Sequence, residues 1–181
     1  MIMRVIEQAT KIAIEAHKTQ VRKHDGSPYI VHPCMVALKV AKYGFDDEVI
    51  AAALTHDVLE DSDISEKELR DALGDSVVDI VKTVTYPKNL EWREKRVAYI
   101  QSVCEGSVGA KAVSVADKIH NLESLLETYE KEGPSLWKKL NRGREGKLWS
   151  EETLLYKLKE VWQHPLLDEY EHLVERMRNL T

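Results

Sequence analysis

Cysteine is scarce in this sequence: Cys34 and Cys104 are its only two, far apart and in no CxxC pair. That excludes a disulfide scaffold and a thiolate zinc site, and it fits a reducing cytosol. Long apolar runs are missing too. The N-terminal stretch MIMRVIEQATKIAIEAHK carries Glu7 inside its apolar part and turns polar again at once. It lacks both the apolar core of a signal peptide and the roughly 20 apolar residues of a membrane span. A soluble cytoplasmic protein with no membrane partner is the expectation. No Pro/Gly/Ser-rich linker or low-complexity stretch divides the chain, which points to a single domain over residues 1–181. Nor is there an excess of basic residues. The 26 Lys and Arg stand against 31 Asp and Glu, for a net charge of −5. A duplex-binding protein would show a basic excess or stripe, so DNA is not an expected partner. A small anionic substrate fits only with a local basic patch or a bound cation to offset the field.

What is present is an ordinary globular balance, 43% hydrophobic and 31% charged. A chain of this length buries roughly 70% of its unfolded surface, enough for a core without a structural metal. A metal found here is therefore functional. The apolar residues recur at helical spacing almost throughout. Val5, Ile6, Ala9, Ile12, Ala13 and Ala16 define a first helix of about four turns, and the turn residues 24–28 (HDGSP) end it. Pro33 suits the first turn of a second helix, which stops at Gly44. Asp46 or Asp47 caps a third, VIAAALTHDVLEDS, and Ser65 with Glu68 forms a capping box for a fourth that ends near Gly74. Further helices are expected over 75–85, 91–104 and 109–130, then a short basic one over 134–141, then 151–163 and 166–178. No alternating strand pattern and no repeat occurs. The fold expected is all-α, with about nine to ten helices.

The third helix contains His56-Asp57-Val58-Leu59-Glu60-Asp61. In a continuous helix His56 lies under Glu60 and Asp57 under Asp61, four polar groups on one face after an apolar opening. Ionisable groups are costly on such a stripe unless paired or bound to a cation, and acidic groups late in a helix oppose its dipole. A solvated polar face is the plainer alternative. In the seventh helix Asp117 follows an apolar run with Asn121 one turn on. A lone Asp there is more often a hydrogen-bonded structural carboxylate, but the pair also fits one group on a cation and the other on substrate. His32 opens the second helix, where the preceding turn and Tyr29 place it at a cleft rim.

Together these segments resemble the HD superfamily. His32, then His56-Asp57, then Asp117 follow its H…HD…D pattern in order and on helices. Within it, AHKTQVRKHDGSPYIVHPCMVA, ALTHDVLEDSDIS and VADKIHNLESL are most similar to the hydrolase domain of the RelA/SpoT proteins and the small alarmone hydrolases. The match spans residues 8–126; residues 134–181 form a C-terminal helical extension outside it.

The resemblance implies an HD-domain helical bundle that removes the 3′-pyrophosphate of (p)ppGpp with one divalent cation, Mn²⁺ in the family. It carries over His32, His56, Asp57 and Asp117 as metal ligands. Two imidazoles and two carboxylates suit Mn²⁺, Fe²⁺ or Zn²⁺ alike. Glu60 and Asp61 match the catalytic acidic pair, one activating water and the other handling the leaving group's proton. Arg22, Lys23 and Asn121 match nucleotide-contacting residues. His17 reads as a packed, hydrogen-bonded histidine.

The sequence departs from that branch where Tyr86-Pro87 stands in place of an Asp-Asp pair. It departs again in the basic run of Lys138, Lys139, Arg142, Arg144 and Lys147, which reads as a solvated surface or a lid. Two alternatives follow: an HD phosphohydrolase acting on another nucleotide, and a non-catalytic nucleotide sensor. The tryptophans at 92, 137, 149 and 162 fit either a core or a dimer contact.

Overall fold

The computed structural model describes residues 3–22 and 26–181. Among these residues the secondary structure is helical apart from one isolated antiparallel bridge between Val21 and Pro28. The helices are α1 (Met3–Ala16), α2 (Val31–Lys42), α3 (Asp47–Thr55), α4 (Val58–Asp61), α5 (Glu66–Leu73), α6 (Asp75–Val84), α7 (Trp92–Glu105), α8 (Val108–Glu132), α9 (Gly143–Val161) and α10 (Pro165–Arg178). A 3₁₀ segment, Gly133–Lys139, joins α8 to α9 where a short α-helix was expected. No described helix is long and apolar enough to cross a membrane.

The organising element is α8. Every residue from Gly109 to Ile119 is buried, as in a helix enclosed on all sides. Around it pack α2, α3, α6, α7 and α10, while α1 lies across α3, and α9 rests on α7 and α10. Gly109 permits the closest approach: a Cβ there would stand 2.7 Å from Val49 Cγ2 and 3.0 Å from Ile80 Cδ1. Local chemistry starts α3 and α5 where the sequence placed them. The Asp46 side chain accepts from the Val49 amide at 3.0 Å, and the Ser65–Glu68 capping box forms in both directions.

The expected third helix is broken. The His56 Nδ1–H donates to the Ala53 carbonyl at 2.8 Å, the acceptor that the amide of residue 57 would take in an unbroken helix. The chain then rewinds with the Glu60 amide on the Asp57 carbonyl at 3.1 Å. His56 and Asp57 therefore sit at a joint between α3 and α4 rather than on a continuous face.

The C-terminal extension also differs. α9 begins at Gly143, eight residues before the expected start at 151, and runs through Gly146. Within the basic run, Lys139, Arg142, Arg144 and Lys147 have partners in the chain. Lys139 pairs with Glu132 at 2.7 Å, and Arg144 donates to the carbonyls of Arg178 and Leu180 at 2.7 and 3.0 Å. Arg142 covers the Trp92 ring at 5.6 Å. The tryptophans pack within the chain: Trp92 lies 5.5 Å from Trp149, Trp162 stacks on His164, and Trp137 Nε1–H donates to the Thr181 carbonyl.

Glu151 anchors this part. It is 2% exposed, accepts from the Tyr170 hydroxyl at 2.6 Å and pairs with Lys147 at 2.5 Å. Burial raises its carboxyl pKa, but the Lys147 and Lys118 charges and the Tyr170 hydroxyl bring it below the ordinary value. Glu151→Ala is expected to cost about 3 kcal/mol by breaking a buried pair. A folded-state pKa below the unfolded one means that this contribution is present above about pH 4.3 and fades as pH falls through the folded value. Urea unfolding of both proteins checks it: the gap should be full at pH 7 and shrink in acid.

Candidate metal centre

Three chain segments converge on one point. α2 brings His32, the α3–α4 joint brings His56 and Asp57, and the middle of α8 brings Asp117. Ligating atoms of His32, His56 and Asp57 lie within 4.8 Å of one another. Asp117 lies beside this trio, with its Oδ1 3.1 Å from His32 Nε2 and 3.8 Å from His56 Nε2. Asp57 Oδ2 stands 3.2 Å from His56 Nε2 and 3.7 Å from His32 Nε2. His32 is 2% exposed, so it belongs to the interior and not to a cleft rim. The reason is that α2 packs directly on α8, which turns the first residues of α2 inward.

The protonation pattern tests whether a cation fits. A backbone carbonyl only accepts, so His56 carries its proton on Nδ1 toward Ala53, and a neutral ring presents a bare lone pair at Nε2. That buried nitrogen has no hydrogen-bond partner. Lone pairs of imidazole and carboxylate facing each other repel unless positive charge lies between them. Without a metal the only source is a proton. Burial favours the neutral ring, yet the Asp57 and Asp117 charges outweigh it and push His56 up to about 9. The donor set of two imidazoles and two carboxylates suits a divalent cation.

A shell of hydrogen bonds holds these groups. The Tyr29 hydroxyl donates to Asp57 Oδ2 at 2.6 Å. Asp117 is fixed at both oxygens, by Asn121 Nδ2 on Oδ1 at 2.5 Å and by Lys118 Nζ on Oδ2 at 2.6 Å. Lys118 is buried and lies 4.9 Å over the Tyr99 ring; the neighbouring Asp117 carboxylate outweighs burial and holds its pKa well above the usual value. His32 Nδ1 meets His120 Nδ1 at 2.7 Å. Burial, the His32 ring and the Arg22 charge push His120 down to about 4.

Glu60 joins His56, Asp57 and Asp117 in lining a cavity of about 40 Å³, room for a water molecule. One Glu60 oxygen accepts from the Tyr86 amide at 2.7 Å. Desolvation and the Asp57 and Asp61 charges push its carboxyl up from the ordinary value, against the pull of that amide and of Lys118. Asp61 lies outside this cavity, in an open cleft with Gln20 and Glu60. Arg22 is buried and donates to Ser124 Oγ at 3.0 Å, one turn beyond Asn121 on α8. Lys23 lies outside the described residues. His17 is packed and bonded to Gln20 at 2.9 Å as expected, although its Nε2 has no partner.

Sequence reasoning did not assign Lys118, His120, Tyr86 or the Tyr29 hydroxyl to the site. For His120 a signal existed, since it follows Asp117 by three residues on one helix. Tyr86 reaches Glu60 only through the packing of α6 beside the joint.

An HD domain family model matches residues 9–148. The zebrafish (Danio rerio) guanosine-3′,5′-bis(diphosphate) 3′-pyrophosphohydrolase MESH1 is 39% identical over 124 residues, 67% of this chain and 69% of that protein. The Aquifex aeolicus protein of the same enzymatic name is 34% identical over 123 residues, 66% of this chain but only 18% of that protein's length. Among solved structures, lmo0812 of Listeria monocytogenes superposes with a TM-score of 0.76 at 33% identity, covering 81% of this chain and 97% of that one. A metazoan ortholog of SpoT, described as hydrolysing ppGpp, superposes at 0.81 with 28% identity over 98% and 97% of the two chains. This chain belongs to the HD domain family.

Proposed function

We propose that this chain is a metal-dependent guanosine-3′,5′-bis(diphosphate) 3′-pyrophosphohydrolase. The observation that carries the reading is the convergence of His32, His56, Asp57 and Asp117 around the unpartnered His56 Nε2. The relatives named for that activity support the substrate. Held by His32, His56, Asp57 and Asp117, one divalent cation, Mn²⁺ in this reading, would lower the pKa of water and polarise the phosphoryl group. The chain's own residues do the rest. Glu60 shares the small cavity with Asp57 and Asp117, and its raised pKa suits a group that takes the proton of the attacking water. The water oxygen bonds to the phosphorus attached at the 3′ oxygen, the bond from that phosphorus to the 3′ oxygen breaks, and Asp61 supplies the proton to the departing oxygen. Arg22, Lys23 and Asn121 receive the nucleotide; Arg22 bonds to Ser124, one turn from Asn121 on α8. The cysteine usage and composition favour the cytoplasm as its location.

A second reading, hydrolysis of another nucleotide, rests on Tyr86. Its ring stacks on Tyr99 at 4.1 Å and lies under Arg96 at 4.5 Å, beside Glu60. An aromatic and cationic wall there differs from the acidic pair of the alarmone branch. Pyrophosphate release from ppGpp with added Mn²⁺, against an Asp57→Ala control and a panel of nucleoside mono- and triphosphates, separates the two. Release by the wild type alone supports the first; turnover confined to the panel supports the second.

A further inference from the structure

His120 and His32 face each other across α8 and α2 with both Nδ1 atoms 2.7 Å apart, their ring planes 26° from parallel and their centroids 5.0 Å apart. Two nitrogens at that distance share one proton. Either His32 donates and His120 accepts, or the reverse. The choice decides what the other end of His32 can do. His32 Nε2 stands 3.1 Å from Asp117 Oδ1 and 3.7 Å from Asp57 Oδ2, inside the group of possible ligands. A neutral imidazole has one N–H. If His120 donated, the His32 proton would sit on Nε2 and point at the carboxylates, and no lone pair would be left for a cation.

We propose that His120 is a positioning residue: its Nδ1 accepts the His32 Nδ1–H, which holds His32 in the tautomer whose Nε2 lone pair faces the metal position. This rests on the cation-site reading of His32, His56, Asp57 and Asp117. It assigns His120 a task parallel to that of the Ala53 carbonyl, which fixes the tautomer of the other histidine at 2.8 Å. Metal-bound histidines characteristically donate their second ring N–H to a fixed acceptor, and loss of that acceptor costs about 10–100-fold in metal affinity. The placement follows from helix geometry. Asp117 and His120 are three residues apart on α8, so one helix supplies a ligand of its own and the acceptor for a ligand on α2.

The test is calorimetric titration of the metal-stripped full chain with Mn²⁺ alone. His120→Phe removes the acceptor and keeps a ring; His120→Asn returns an oxygen acceptor near the position of Nδ1. The Phe variant is expected to bind about 10–100-fold more weakly, and the Asn variant to recover most of that loss. Equal binding by wild type and Phe variant, or equal weakening in both variants, would overturn the proposal. Wild type that binds no Mn²⁺ sinks the cation site itself, so the two failures are distinguishable. Should His120→Phe not fold, ¹⁵N histidine spectra of the wild type loaded with diamagnetic Zn²⁺ decide directly. They are expected to show His32 protonated at Nδ1 and His120 at Nε2; the opposite pattern overturns the proposal.

Discussion

Asp57→Ala is expected to abolish Mn²⁺ binding at micromolar metal and to lower turnover by a factor on the order of 10³ or more, since a bound cation stabilises a phosphoryl transition state by several kcal/mol. Asp57 stands at the crossing point of the site. Its Oδ2 lies between the two imidazoles, 3.2 Å from His56 Nε2 and 3.7 Å from His32 Nε2, and accepts from the Tyr29 hydroxyl at 2.6 Å. Removing it takes away one ligand oxygen and the charge that balances the cation. The helix joint should survive, because the break is made by the His56 ring on the Ala53 carbonyl and not by the Asp57 side chain. Metal content and thermal unfolding of the variant, measured beside its ppGpp hydrolysis, check this. A variant that keeps both metal and turnover would remove Asp57 from the site.

Glu60→Gln should lower kcat by about 10²–10⁴, the usual contribution of a general base, while Mn²⁺ affinity stays within a few-fold. The amide oxygen of Gln still accepts from the Tyr86 N–H, so the local structure is retained while the capacity to take a proton is lost. The split is the informative part: Asp57→Ala loses metal and rate together, and Glu60→Gln loses rate alone. Single-turnover hydrolysis with saturating Mn²⁺ measures it. If the variant hydrolyses at the wild-type rate, the base is another group, and Asp61, which borders the neighbouring cleft, is the next to substitute.

Much of this was legible in the sequence for a physical reason. Helix periodicity and capping are local, so α1, α2, α5, α6, α7, α8 and α10 begin and end close to where apolar spacing, Ser65–Glu68 and Gly44 put them. The candidate site residues stood out as well, since polar groups such as Asp117 inside an apolar stretch differ from their neighbours. The family blocks then supplied the pairing of segments that lie far apart in sequence. The start of α9 was missed because glycine usually marks a boundary. Here Gly146 lies inside the helix, where a Cβ would stand 2.5 Å from Arg142 Cβ.

By itself, then, the sequence determined an all-helical chain, the local starts of most of its helices and the kinds of side chain in the candidate site, because these depend on residues within a turn or two of each other. Only the tertiary structure decided that the helix breaks at His56–Asp57, that His32 is buried, and that Lys118, His120, Tyr29 and Tyr86 surround the site. The break is a local hydrogen bond from His56 to Ala53 that periodicity does not mark, and the other facts depend on α2, α3 and α6 packing against α8. A hydrogen bond between residues 32 and 120 leaves no periodic trace in the sequence; it exists only once the two helices meet.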